Sequence, residues 1–225
     1  MNSHFRRSRC VGGVAWLRHL SATVSVAALA FLSAAPVVAQ PGAGCDTTRR
    51  AIGVSIGPSS PYFEPSSGIG GSSASSVLSR GGLQLTGRVD LPIAGAWRAR
   101  VEGGTQNWRL ERQIYSADLR QVVATETVGD LDVRQIDGLV GRQGGRPPVC
   151  GYVLAGGGLY SLDYQDAGFR SPGFALTAGL EFPAGGRSVV QVDVQLQLIH
   201  TRSHYPVGSS TVVGTGLSAG WAYRF

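Results

Sequence analysis

The sequence predicts an all-β chain in which eight antiparallel strands close up-and-down into a transmembrane β-barrel. Three observations carry that prediction. Val190, Val192, Val194, Leu196 and Leu198 alternate with Gln191, Asp193, Gln195 and Gln197. A period of two puts each set on its own face of a strand. The last nine residues, L-S-A-G-W-A-Y-R-F, alternate in the same way, with Leu217, Ala219, Trp221, Tyr223 and Phe225 on one face. An aromatic strand face of this kind suits a lipid interface better than water. Finally, no apolar run beyond the N-terminal stretch approaches the length of a spanning helix.

The N-terminal stretch carries Arg6, Arg7, Arg9 and Arg18, then runs apolar from Ala22 to Ala35, with small residues at Val37-Val38-Ala39. This is the pattern of a secretory signal peptide, residues 1–39. Residues 40–48 are expected to form a periplasmic lead and residues 49–225 the barrel. The signal holds four arginines and no acid, so the formal charge falls from +6 to +2 on its removal. The basic balance therefore gives no reason to expect a nucleic-acid partner.

The strands follow in order. Ala51 to Gly57 gives the first, with Ile52, Val54 and Ile56 outward. Pro58 to Ser76 is dense in Ser, Gly and Pro and reads as a loop. Leu83, Leu85, Val89 and Leu91 define the second strand, Pro92 to Ala96 a turn, and Trp97 opens the third. Trp108 to Val128 reads as a hairpin protruding beyond the membrane around a Ser116-Ala117-Asp118 turn. A helix is disfavoured there by β-branched residues. Leu131 to Val140 is the fourth strand, and a phase shift between Val133 and Ile136 suggests a bulge. Arg142 to Pro148 is a polar turn.

The fifth strand, Cys150 to Tyr164, collects Tyr152, Leu154, Tyr160, Leu162 and Tyr164 on one face, read as outward because Gly151, Ala155 and Gly157 suit the inside. Gln165 to Pro172 is a loop. The sixth places Phe174, Leu176, Ala178, Leu180 and Phe182 outward, and Pro183 to Arg187 turns the chain. The seventh is the Val/Gln strand, Ile199 to Ser210 a loop, and Thr211 to Phe225 the eighth strand. A soluble barrel of the same strand count would need an apolar inside, and the charges on the minor face argue against burying that face in one.

Those minor-face residues are the candidate site. Arg88, Asp90, Arg98, Arg100, Glu102, Glu181, Asp193 and Arg224 are expected inside, as ion pairs that plug the lumen, with long side chains lying against glycine walls opposite. Eight strands leave an interior just wide enough for side chains to fill, so a narrow pore is the lesser reading. Cys45 and Cys150 are the two cysteines left after signal removal, and an exported chain with two cysteines suggests a disulfide. Under this topology both lie at the periplasmic rim, and the link would draw residues 45–50 beneath the lumen as a strap.

The terminal strand resembles that of bacterial outer-membrane β-barrels, whose last strand alternates hydrophobes and ends on Phe. Over residues 49–225 the chain resembles the small barrels of the outer-membrane protein A and X type. The resemblance implies residence in the bacterial outer membrane and contact with its lipid and lipopolysaccharide. It also implies recognition of Trp221, Tyr223 and Phe225 by the barrel assembly machinery, and loops that meet host or environmental surface ligands.

A second resemblance, to lipid A deacylases, fails on its residues. Those enzymes place a Glu shortly after a neighbouring His and Ser, and no acid follows His200-Thr201-Arg202-Ser203-His204 before the chain ends. A Ser nucleophile needs a base and an orienting acid. No catalytic residue, metal ligand or cofactor is assigned on the sequence. The expectation is a structural or surface-interaction barrel, adhesin-like through its loops, with a lipid-modifying enzyme as the alternative.

Overall fold

The computed structural model describes residues 45–63, 73–116, 121–165, 167–201 and 211–225. The signal peptide, residues 40–44 of the lead and the Arg202-Ser203-His204 part of the histidine-containing loop lie outside them. Eight strands follow one another: β1 (Ala51–Phe63), β2 (Ser73–Ala94), β3 (Trp97–Ser116), β4 (Gln121–Arg146), β5 (Val149–Tyr164), β6 (Ala167–Pro183), β7 (Ser188–His200) and β8 (Thr211–Arg224). Each pairs antiparallel with the next, and β1 pairs with β8 to close the barrel. Closure removes sheet edges, which is what permits strands to cross lipid.

The pleat sorts the side chains as the β7 sequence dictates. Val189, Gln191, Asp193, Gln195, Gln197 and Ile199 are buried, while Val190, Val192, Val194 and Leu198 are exposed. The same sorting holds on β1, β2, β3, β6 and β8. Ile52, Val54, Ile56, Leu85, Val101, Phe174 and Leu217 all lie between 45% and 56% exposed. Exposed apolar side chains around a closed ring form a lipid-facing band. At its periplasmic end Trp97, Trp221, Tyr223 and Phe225 are exposed aromatics. Trp221 and Tyr223 lie 6.3 Å apart, and the Arg142 guanidinium stands 6.0 Å from the Trp97 ring.

The structure corrects the sequence reading at four places. First, strands replace much of the expected loops. β1 continues to Phe63 and β2 begins at Ser73, while β6 begins at Ala167 and leaves only Gln165 and Asp166 between it and β5. Polar residues above the lipid band do not end a strand whose backbone still has partners, as Pro61↔Gly214 and Ser171↔Tyr160 show.

Second, β4 runs without a bulge through Val133 and Ile136; its register with β5 is unbroken from Asp132 to Arg146. Leu131 and Val133 are buried inside, whereas Ile136 and Val140 are exposed outside. The apolar residues change face with height while the backbone stays regular. The irregularities lie earlier, at Val128, between the pairs Leu110↔Gly129 and Glu111↔Thr127, and at Val123, between Ile114↔Ala124 and Tyr115↔Val122.

Third, the face of β5 is reversed. Tyr152, Leu154, Tyr160 and Leu162 point into the barrel and are at most 2% exposed, and Leu159 points outward at 59%. Fourth, the Trp108 to Val128 segment is not wholly protruding, because Trp108 and Leu110 are buried within the barrel. The part that extends further is three-stranded, since β2 joins it through Ser73↔Ser116 to Arg80↔Arg109.

Candidate functional site

The lumen is filled from end to end, in three tiers. In the periplasmic tier Glu181 of β6 collects the ligands. Its Oε1 accepts from Arg98 Nη1 at 2.6 Å and from the Gln191 amide. Its Oε2 accepts from Gln143 Nε2 at 2.7 Å and Arg224 Nη2 at 2.6 Å. Arg100 faces Asp90 with Nε at 2.7 Å and Nη2 at 3.4 Å, a forked approach to one carboxylate.

The middle tier crosses the barrel. Arg88 Nη1 reaches Asp193 Oδ2 at 2.6 Å, and the Tyr152 hydroxyl donates to Asp193 Oδ1. The Tyr152 ring carries Arg100 at 4.7 Å and Arg98 at 5.7 Å from its centroid, cation–π distances for both. Tyr152 fits because Gly179 faces it: a Cβ there would lie 2.6 Å from the ring's Cζ. Glu102 accepts from Gln195 at 2.6 Å, and Asp137 from the Tyr160 hydroxyl at 2.7 Å. Higher up, Gln106 donates to Gln197 at 2.9 Å and also to Gln135, and Gln197 donates to Gln135 at 2.6 Å. Strands β3 and β7 stand opposite each other in the ring, so the Glu102–Gln195 and Gln106–Gln197 contacts bridge the full width.

The extracellular tier is apolar. Trp108, Leu110, Leu131, Val133, Leu162 and Ile199 pack together with Tyr160 and Val212, and none is more than 1% exposed. Trp108 directs its indole N–H to Ser59 Oγ at 3.0 Å, which leaves no polar atom of the ring unpaired. This cap was missed in the sequence because its residues come from five strands whose outward faces are also partly apolar. A sequence signal did exist: Leu131-x-Val133 is out of phase with Ile136, and Trp108-x-Leu110 continues the inward phase of Arg100, Glu102 and Gln106.

The periplasmic end is bridged by the strap. Cys45 and Cys150 form a disulfide, and Cys150 is buried on the inward face of β5. Within the strap Asp46 accepts from Thr48 Oγ1 at 2.9 Å and pairs with Arg49 at 2.9 Å. Partial burial pushes the Asp46 carboxyl up, but the Thr48 hydrogen bonds and the charges of Arg49 and Arg224 outweigh it and hold it below the usual carboxylate range. The Arg50 carbonyl then accepts from Phe225 N–H at 2.9 Å, which leads the strap into the β1–β8 seam.

The chain is similar to Neisserial surface protein A, with a TM-score of 0.52, 15% identity, and coverage of 78% of this chain and 97% of that one. It is likewise similar to the outer membrane protein OprG from Pseudomonas aeruginosa, with a TM-score of 0.51, 13% identity, and coverage of 79% and 96%. The fold is that of the small outer-membrane barrels. No family model matches the chain, and no curated protein matches it.

The structure brings Arg88, Asp90, Arg98, Arg100, Glu102, Glu181, Asp193 and Arg224 into the lumen, and Asp137, Tyr152, Tyr160 and six glutamines join them. Trp221, Tyr223 and Phe225 lie together on the outer wall. Among the described residues no group of His, Cys, Asp and Glu has the arrangement of a metal site. The lumen can therefore hold the barrel rigid, but its buried carboxylates are already committed to guanidinium, amide and phenol donors.

Above the barrel, β4 offers an edge. Its pairing with β5 begins at Asp132, while its pairing with β3 continues to Gln121. Residues 122–127 are exposed on both faces, Val122 at 46% and Val123 at 47%. The Tyr164 hydroxyl and the Gln165 amide both reach the Val128 carbonyl at 3.2 Å, so the edge opens only beyond that point.

Proposed function

We propose that the protein is an integral outer-membrane barrel whose closed body is structural and whose extracellular sheet binds extended polypeptide on other surfaces. The observation that carries this reading is the edge of β4 from Gln121 to Thr127. A strand edge with unpaired backbone groups and β-branched neighbours is a template for strand addition. The rigid lumen supports it by anchoring β2, β3 and β4, the three strands that hold the extension. An adhesin-like role with host or environmental surface ligands follows from that chemistry, and a catalytic role does not.

The signal peptide delivers the chain to the periplasm, and the outward aromatic face of β8, with Trp221, Tyr223 and Phe225, serves as the assembly signal. Outer-membrane lipid is the barrel's solvent. The experiment compares cells displaying the natural protein with cells displaying Val123→Lys with Thr125→Lys, on surfaces coated with casein as an extended polypeptide. Lysines on an edge strand oppose pairing, so adhesion should fall several-fold while heat-dependent gel mobility stays that of a folded barrel. Equal adhesion by the two would remove the edge from the proposal.

A further inference from the structure

The lipid-facing wall changes character between two neighbouring rows on β4, β5 and β6. In the lower row Ile136, Leu159 and Pro172 are register partners, and Ile136 and Leu159 are 56% and 59% exposed. One pleat toward the extracellular end the partners are Arg134, Ser161 and Arg170. Residues two apart share a face, so these three also point outward, with both arginines exposed. Adjacent strands lie ~4.8 Å apart, which places the two arginine Cα atoms about 10 Å from each other across Ser161.

Other arginines on this part of the wall are engaged. Arg80 pairs with Glu111 at 3.0 Å and Arg109 with Asp130 at 3.4 Å. Arg134 and Arg170 form no ion pair among the described residues. The acid beside Arg134 on its own strand, Asp132, accepts from Asn107 at 2.6 Å. Asp132 and its register partner Asp163 stand one pleat further from the membrane than the arginines. A free anion arriving from the water meets those carboxylates first. An anion held in the leaflet approaches from below and does not.

We propose that Arg134, Ser161 and Arg170 form a binding site for the phosphate of a phosphorylated lipid in the outer leaflet. Two guanidinium forks suit a phosphate group, the Ser161 hydroxyl between them supplies a further donor, and the acyl chains lie along Ile136, Leu159 and Phe174 below. The site rests on the membrane placement of the barrel and not on the β4 edge.

The test uses the mature barrel in neutral maltoside micelles, with native mass spectrometry counting retained lipid. The probes are bisphosphorylated lipid A and the same lipid after dephosphorylation. The natural protein should retain the phosphorylated form about tenfold more. Arg134→Gln with Arg170→Gln should lose that preference, and Arg134→Lys with Arg170→Lys should keep most of it. Equal retention of the two lipids by the natural protein overturns the site, as does an unchanged preference in the glutamine variant. Displacement by millimolar inorganic phosphate overturns the assignment to a lipid. Heat-dependent gel mobility of the natural protein is read in parallel; its absence would instead sink the membrane-barrel reading.

Discussion

Asp193 shows how one residue can hold several strands. It lies on β7, accepts from Arg88 on β2 and Tyr152 on β5, and stands 3.9 Å from Arg100 on β3. The Arg100 side chain is completely buried. A buried ion pair is a weak net stabiliser against an apolar replacement of both partners. Removing one partner is costly, because the other is left charged and unpaired. Asp193→Leu should therefore lower barrel stability by about 3–5 kcal/mol. Asp193→Asn, which keeps the shape and one acceptor, should cost less. The urea midpoint of the refolded barrel in micelles measures both. Equal midpoints for the natural protein and Asp193→Leu would mean that the guanidiniums find other partners.

At the scale of the element, β3 carries a charged lower half and an apolar upper half on one face. Arg98, Arg100 and Glu102 belong to the network; Trp108 and Leu110 belong to the cap. Trp108→Ala should thus cost about 3–5 kcal/mol, the loss expected for a large aromatic in a packed core. A residue on a solvated hairpin would cost almost nothing, so the same urea titration decides between the two placements. Alternation was legible wherever only one face is apolar, as on β6, β7 and β8. It misled on β5, where Val153 and Leu159 outside compete with Tyr152, Leu154, Tyr160 and Leu162 inside. Tyrosine suits a lipid interface as well as a polar lumen, and only the acceptors Asp193 and Asp137 on other strands settle its side. The apparent slip between Val133 and Ile136 has the same origin. One face is apolar near the top of the barrel and the other lower down, and no local pattern records height.

At the scale of the whole molecule, both ends of the lumen are closed by different means. The apolar cap closes the outer end, and the strap, tied by the Cys45–Cys150 disulfide, spans the inner one. The cysteines are 105 residues apart in sequence. Closing so long a loop restricts the unfolded chain, which the entropy treatment puts at about 4–5 kcal/mol. Cys45→Ser with Cys150→Ser should lower the unfolding midpoint accordingly, and reducing the natural protein should have the same effect. Conduction should not follow. With the strap released, Glu181 still binds Arg98, Arg224, Gln143 and Gln191, and the bridges from β3 to β7 still cross the lumen above it. In planar bilayers the natural protein and the double serine variant should therefore both stay at leak level. Discrete current steps in the variant alone would make the strap the seal. Steps in the natural protein would show that the side-chain network opens, and the closed lumen would have to be abandoned.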